Sequence, residues 1–166
     1  MRLASRLSAW RGRAGGFTLI EIVVVVAIIG ILAAAARPLI ELQGRRQKEF
    51  ELRQGLRSIR TAIDAFRQAA ADGRIAPPEN DSGCPPALQW LVDGVPDVRS
   101  PTPRKIYFLR RLPRDPFADP ALPAAQTWGL RSYESPPDAP QAGRDVFDVH
   151  SKAEGNGLDG TPYREW

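Results

Sequence analysis

Glu21 stands alone in an apolar stretch. From residue 17 to residue 36 its companions are Phe, Thr, Leu, Ile, Val, Ala and Gly. A carboxylate placed in lipid costs roughly 2.5–3.5 kcal/mol on insertion scales, so Glu21 is a functional residue by default. The other reactive side chains are isolated. Cys84, in Ser82-Gly83-Cys84-Pro85-Pro86, is the only cysteine, which excludes an intrachain disulfide even in an oxidising compartment. With no histidine paired to it, Cys84 reads as incidental rather than nucleophilic. His150 is the only histidine and has no second soft ligand nearby, which argues against zinc. The sequence holds no Ser/His/Asp constellation, phosphate-binding glycine loop or internal repeat.

These residues must be positioned by a helix. At 1.5 Å per residue the run 17–36 reaches about 30 Å, enough to cross the hydrocarbon core of a bilayer. Residues 17–37 are therefore expected to form a transmembrane half-helix and residues 38–73 its continuation outside. Pro38 cannot donate to the carbonyl of Ala34 and is expected to bend the helix. Beyond it Leu52, Leu56, Ile59, Ile63 and Phe66 recur at spacings of four and three, with Arg53, Arg57, Arg60 and Arg67 mostly on other faces. That stripe is read as core packing. Gly44 and Gly55 each cost a helix about 1 kcal/mol relative to alanine, so looseness is expected near them. Asp72-Gly73 ends the helix.

Residues 74–126 are rich in proline and poor in regular structure. A short helix is expected within residues 86–93, with Leu88, Trp90 and Leu91 to bury and Gly94 as its stop. Strands are expected at 127–134 and 146–150, joined by the proline-rich link 135–144. In the second strand Phe147 and Val149 point one way, Asp148 and His150 the other. Residues 151–160 form a turn-rich loop, and Tyr163 to Trp166 close the chain.

Net charge is +4, which by itself would suit an acidic partner such as nucleic acid. The excess equals the four arginines Arg2, Arg6, Arg11 and Arg13, all ahead of the apolar run. The basic balance is thus a targeting feature, and no nucleic acid is expected. Arg110, Arg111 and Arg114 make a second basic cluster, read as a solvated loop. An ordinary secretory signal peptide would also start basic and apolar, with Ala34-x-Ala36 as its cleavage site. Its core would then carry a carboxylate, and its cut would fall just before Arg37-Pro38. A simple signal anchor is the other alternative.

The basic leader, Gly16, and Phe17-Thr18-Leu19-Ile20-Glu21 followed by an unbroken apolar helix resemble the type IV prepilin signature. Pilins and the pseudopilins of type II secretion share it. The resemblance implies that a membrane-embedded prepilin peptidase cuts between Gly16 and Phe17, removing residues 1–16, and methylates Phe17 as the new N-terminus. Gly16 suits a protease cleft, since it offers extended backbone without a side chain. The new amine lies four residues before Glu21 on one helical face. Glu21 and Phe17 are therefore the assembly residues, pairing within one subunit or between neighbours.

Residues 107–117, with Leu112-Pro113-Arg114-Asp115-Pro116-Phe117, resemble the Leu-Pro-x-Asp-Pro-aromatic stretch of the major pseudopilin of type II secretion. The implied fold is α+β and pilin-like: a long bent N-terminal helix carrying a small antiparallel sheet within residues 74–166. The implied protein is no enzyme but a filament subunit, a homo-oligomer anchored once in the inner membrane with its C-terminal domain in the periplasm. Its implied partners are the inner-membrane secretion platform, other pseudopilins and an outer-membrane secretin. Major pseudopilins also bind one calcium ion in the C-terminal loop, which places Ser151, Glu154 and Asp159 as ligands here, with Asn156 and main-chain carbonyls. The loop departs from the family pattern: Glu154 stands where Asp is usual, the loop is shorter, and Asp159 lies farther from Trp166. A type IV pilus subunit is the nearest alternative; the lack of a cysteine pair near the carboxyl end favours the pseudopilin. A signal-anchored periplasmic enzyme would need a catalytic set that the sequence lacks.

Overall fold

The computed structural model describes residues 16–76 and 82–166, with residues 35–39 described by backbone alone. The leader, apart from Gly16, lies outside the described residues, as does the Pro38 side chain on which the expected bend rests. The chain divides into two units, Met1–Leu42 and Gln43–Trp166. Helix α1, Leu19–Ala71, contributes to both.

In the first unit the helix starts where the sequence supplies a hydroxyl. Thr18 Oγ1 accepts the Glu21 amide at 3.3 Å, and Thr18 O accepts the amides of Glu21 and Ile22. Glu21 falls in the first turn, where a carboxylate complements the unpaired amides. The apolar side chains that follow are all exposed, from Leu19 to Leu32. Among the described residues no helix is long and apolar enough to cross a membrane; beyond Ala34 the run continues into the residues described by backbone alone.

The second unit is built on the stripe. Leu52, Leu56, Ile59, Ile63 and Phe66 are each at most 2% exposed, so the four-three spacing does mark the core face. Ile75, Leu88, Leu91, Val95, Trp128, Val146, Val149 and Tyr163 join that face in one core. Gly73, at φ 63°, ends the helix by turning the amides of Gly73 and Arg74 onto the carbonyls of Ala70 and Ala69. The short helix forms as α2, Trp90–Asp93, stopped at Gly94. It buries Leu91, and Leu88 is buried just ahead of it, but Trp90 remains 44% exposed. One turn of helix presents a single face to the core, and Leu91 takes it.

Residues 74–126 hold more structure than expected. Strands β1, Val95–Pro96, and β2, Lys105–Ile106, pair antiparallel, with Val95 opposite Ile106. Strands of two residues leave no alternation to read, and Pro96 argues against one. The aromatics divide: Phe108 packs on Phe66 at 5.2 Å between ring centroids, whereas Tyr107 is mostly exposed. The later strands are shorter than expected, β3 at Trp128–Arg131 and β4 at Asp148–Ser151. They pair antiparallel with Trp128 opposite Ser151 and Leu130 opposite Val149. The two pairs are separate two-stranded sheets rather than one. Val149 is fully buried, whereas Phe147 precedes β4 and stacks edge-on against Tyr133.

Gly55 corrects the expectation of looseness. A Cβ there would stand 3.2 and 3.3 Å from two ring carbons of Trp128. The missing side chain is what lets a buried indole lie against the helix, and the indole N–H then reaches Pro113 O at 2.9 Å.

Candidate functional site

At the amino end, Gly16, Phe17 and Glu21 are all exposed. A Cβ on Gly16 would meet nothing within 4 Å, so no packing inside the described chain calls for glycine there. Phe17 is 77% exposed, an apolar surface that no described residue covers. The structure thus brings the three residues together on one short exposed segment at the start of α1.

The second cluster joins α1 to β4 and the chain after it. Arg45, Glu49, Arg53 and Arg60 follow one another on the flank of the core stripe. Glu49 is buried, and its Oε1 accepts the Leu158 amide and the Tyr163 hydroxyl, each at 2.9 Å. The guanidinium of Arg45 donates to Tyr163 Oη at 3.2 Å and to the Asn156 carbonyl, and its Nε lies 3.5 Å from Glu49. Arg53 pairs with Asp159 at 2.6 Å, with its guanidinium 4.1 Å above the Trp166 ring. Arg60 donates to Asp148 Oδ1, to Val149 O and to the Trp166 main-chain oxygen, at 2.8, 3.0 and 2.6 Å.

The expected calcium ligands are not gathered. Ser151 is fully buried, donates to Asp115 Oδ2 at 2.5 Å and accepts the Ala153 amide. Asp159 holds Arg53 with one oxygen and the Thr161 amide with the other. Glu154 is exposed, and Asn156 offers its carbonyl to Arg45. Among the described residues no three His, Cys, Asp or Glu side chains gather as a metal site would require. The residues present do not fit a calcium ion: the oxygens of Ser151, Asn156 and Asp159 already engage protein partners, and the exposed Glu154 by itself falls short of the six to eight oxygens calcium takes.

Among the described residues the remaining candidates form no catalytic arrangement. An open cleft of about 710 Å³ is lined by Arg60, Arg131, Asp148, His150 and Arg164 among others. Burial lowers the pKa of His150; Asp148 opposes this, while Lys152, Arg60 and Arg131 reinforce it. Cys84 is fully buried, and burial pushes its thiol up, the reverse of what a nucleophile needs. Arg114, from the basic cluster, donates to the carbonyls of Leu122 and Asp119 and so shapes its own loop.

Sequence reasoning passed over Glu49 and Asp115. Glu49 lies three residues before Leu52, so it extends the stripe; a carboxylate at a core position was the available signal. Asp115 is 2% exposed, takes the Ser151 hydroxyl and the Phe117 amide, and ties the 112–117 stretch to β4. Its signal was an acid lodged between two prolines.

Residues 11–36 match the family model of the prokaryotic N-terminal methylation motif. The type II secretion system core protein G of Pseudomonas aeruginosa is 30% identical over 116 residues, 66% of this chain and 72% of that protein. Its counterpart in Aeromonas hydrophila is 27% identical over 115 residues, 65% of this chain and 71% of that protein. The type IV major pilin protein PilA of Myxococcus xanthus is 48% identical over 62 residues, 37% of this chain and 28% of that protein. No solved structure matches at a comparable level of significance.

Proposed function

The chain belongs to the family of the type II secretion system core protein G, the major pseudopilin, and from that premise we propose that it is the structural subunit of a periplasmic pseudopilus. The observation that carries this reading is the extent of the likeness: it spans 72% of the Pseudomonas protein, against 28% of the pilin. A type IV pilus subunit is the second reading, favoured by the higher identity over that shorter stretch.

The work of such a subunit is mechanical. Prepilin peptidase cuts between Gly16 and Phe17, and the open surroundings of Gly16 support a reader outside the chain. The freed and methylated amine of Phe17 keeps its charge one helical turn before Glu21. In the inner membrane that amine, its own or a neighbour's, offsets the cost of the buried carboxylate and sets the register of the next subunit. Exposed apolar side chains from Leu19 onward supply the anchor and the packing surface between helices. The domain from Gln43 lies in the periplasm and is carried as the filament grows. Growth helps push folded proteins through the outer-membrane secretin, together with the inner-membrane platform and other pseudopilins. Nucleotide hydrolysis belongs to a partner ATPase.

The test is a deletion strain scored for exported proteins, twitching and DNA uptake, complemented by wild type or by Glu21→Val. Wild type should restore export and leave twitching and uptake unchanged. Glu21→Val should insert and be processed yet fail to restore export. Loss of twitching without loss of export would assign the chain to a pilus. Full export with processed Glu21→Val would remove Glu21 from assembly.

A further inference from the structure

The C-terminal loop is where a cation would be expected, and its oxygens are instead occupied from the helix. We infer that residues 151–166 are clamped to α1 by the side chains of Arg45, Glu49, Arg53 and Arg60, and that the loop holds its shape without a divalent cation. The inference concerns this loop alone and does not rest on the secretory reading.

A calcium ion organises a loop by collecting carbonyl and carboxylate oxygens. Here guanidinium groups collect them. Arg45 takes the Asn156 carbonyl, Arg53 the Asp159 carboxylate, and Arg60 the Trp166 main-chain oxygen, while it also holds Asp148 and Val149 of β4. A guanidinium is a permanent cation with donors fixed in a plane, so it substitutes for a metal at oxygens while being anchored to the helix. Glu49 does what no cation can. Its buried carboxylate accepts an amide proton, Leu158 N–H, and the Tyr163 hydroxyl, so the clamp grips the loop by donors as well as acceptors.

The loop closes on itself besides. Gly157 N–H donates to Thr161 O at 2.8 Å, Gly160 N–H to Gly157 O at 2.9 Å, and Tyr163 N–H to Gly155 O at 3.2 Å. Asp159 is thereby both a turn cap, through Thr161 N–H, and the partner of Arg53. Each of its carboxylate oxygens is thus already held by a protein donor. The parts of the clamp differ in weight. The Arg53–Asp159 pair is about half exposed at both ends and screened by water. Glu49, with its side chain 7% exposed, is the deciding contact, because removing it strands a buried amide and a hydroxyl.

The experiment uses the full chain in detergent micelles, melted by circular dichroism in millimolar calcium chloride and in chelator. The two wild-type melts should coincide. A saturating calcium site would raise Tm by several degrees in calcium, and that result overturns the inference. Glu49→Ala, which removes the acceptor altogether, should melt lower by a similar amount in both buffers, and Glu154→Ala should match wild type in both. A Glu154→Ala loss seen only in calcium overturns the inference as well. Amide exchange supplies a readout that needs no variant. Leu158 N–H should be protected in chelator, and protection gained only on adding calcium would refute the clamp.

Discussion

Replacing Gly55 by alanine should destabilise the domain, even though alanine is the better helix former. Gly55 lies in the interior of α1, and relief of glycine's helix penalty alone would gain about 1 kcal/mol. Against this, the new methyl would stand 3.2 and 3.3 Å from two carbons of the Trp128 ring, inside the ordinary contact of roughly 3.5–4.0 Å. Trp128 is 1% exposed, and its indole N–H is tied to Pro113 O at 2.9 Å. It cannot slide away without lengthening that bond. Overpacking of this kind costs roughly 1–3 kcal/mol, which leaves a net loss of about 1 kcal/mol. Gly44 is the internal control, since a Cβ there meets nothing within 4 Å. Gly44→Ala should gain about 0.4–1 kcal/mol. The two variants should therefore differ by about 2 kcal/mol, or roughly 6 °C in Tm for a domain of this size. Thermal melts of the full chain in detergent measure the gap directly. If Gly55→Ala melts as high as Gly44→Ala, the indole does not depend on the glycine and the packing argument fails.

Asp115→Ala removes the acceptor of the Ser151 hydroxyl and of the Phe117 amide, and should cost about 2–4 kcal/mol, read as an earlier midpoint in urea; a midpoint within error of wild type would make the 112–117 stretch independent of β4. His150 has its pKa lowered on folding by burial, so the unfolded chain binds its proton more tightly. Its contribution is complete above about pH 6.5 and is lost as pH falls through the lower folded value. Tm should fall between pH 7 and 5, and His150→Gln should flatten that slope; an equally steep slope in the variant would place its origin elsewhere. Gly16→Leu should leave the long precursor in the membrane. Mass spectrometry of the wild type should find Phe17 as the methylated first residue, and an N-terminus at Arg37 would replace prepilin processing with ordinary signal cleavage.

The sequence by itself determined what depends on short-range pattern. The four-three spacing of Leu52 to Phe66 located the core face, and Asp72-Gly73 located its end, because helical periodicity and a left-handed cap are local properties. Phe17-Thr18-Leu19-Ile20-Glu21 was legible for a similar reason: a sorting motif is read as an extended string, and a carboxylate in an apolar run is conspicuous without any fold around it. Tertiary structure decided what depends on partners distant in the chain. Gly55 read as a weak point until Trp128, far along the sequence, was found lying on it. Ser151, Glu154 and Asp159 read as a ligand set because their order along the loop resembles one. Folding turned Ser151 inward to Asp115 and Asp159 outward to Arg53 instead. Glu49 stood in line with the core stripe, but its partners could not be read there. Only the return of Leu158 and Tyr163 to α1 made it a buried acceptor, since a hydrogen bond across 109 residues has no signature in either segment alone.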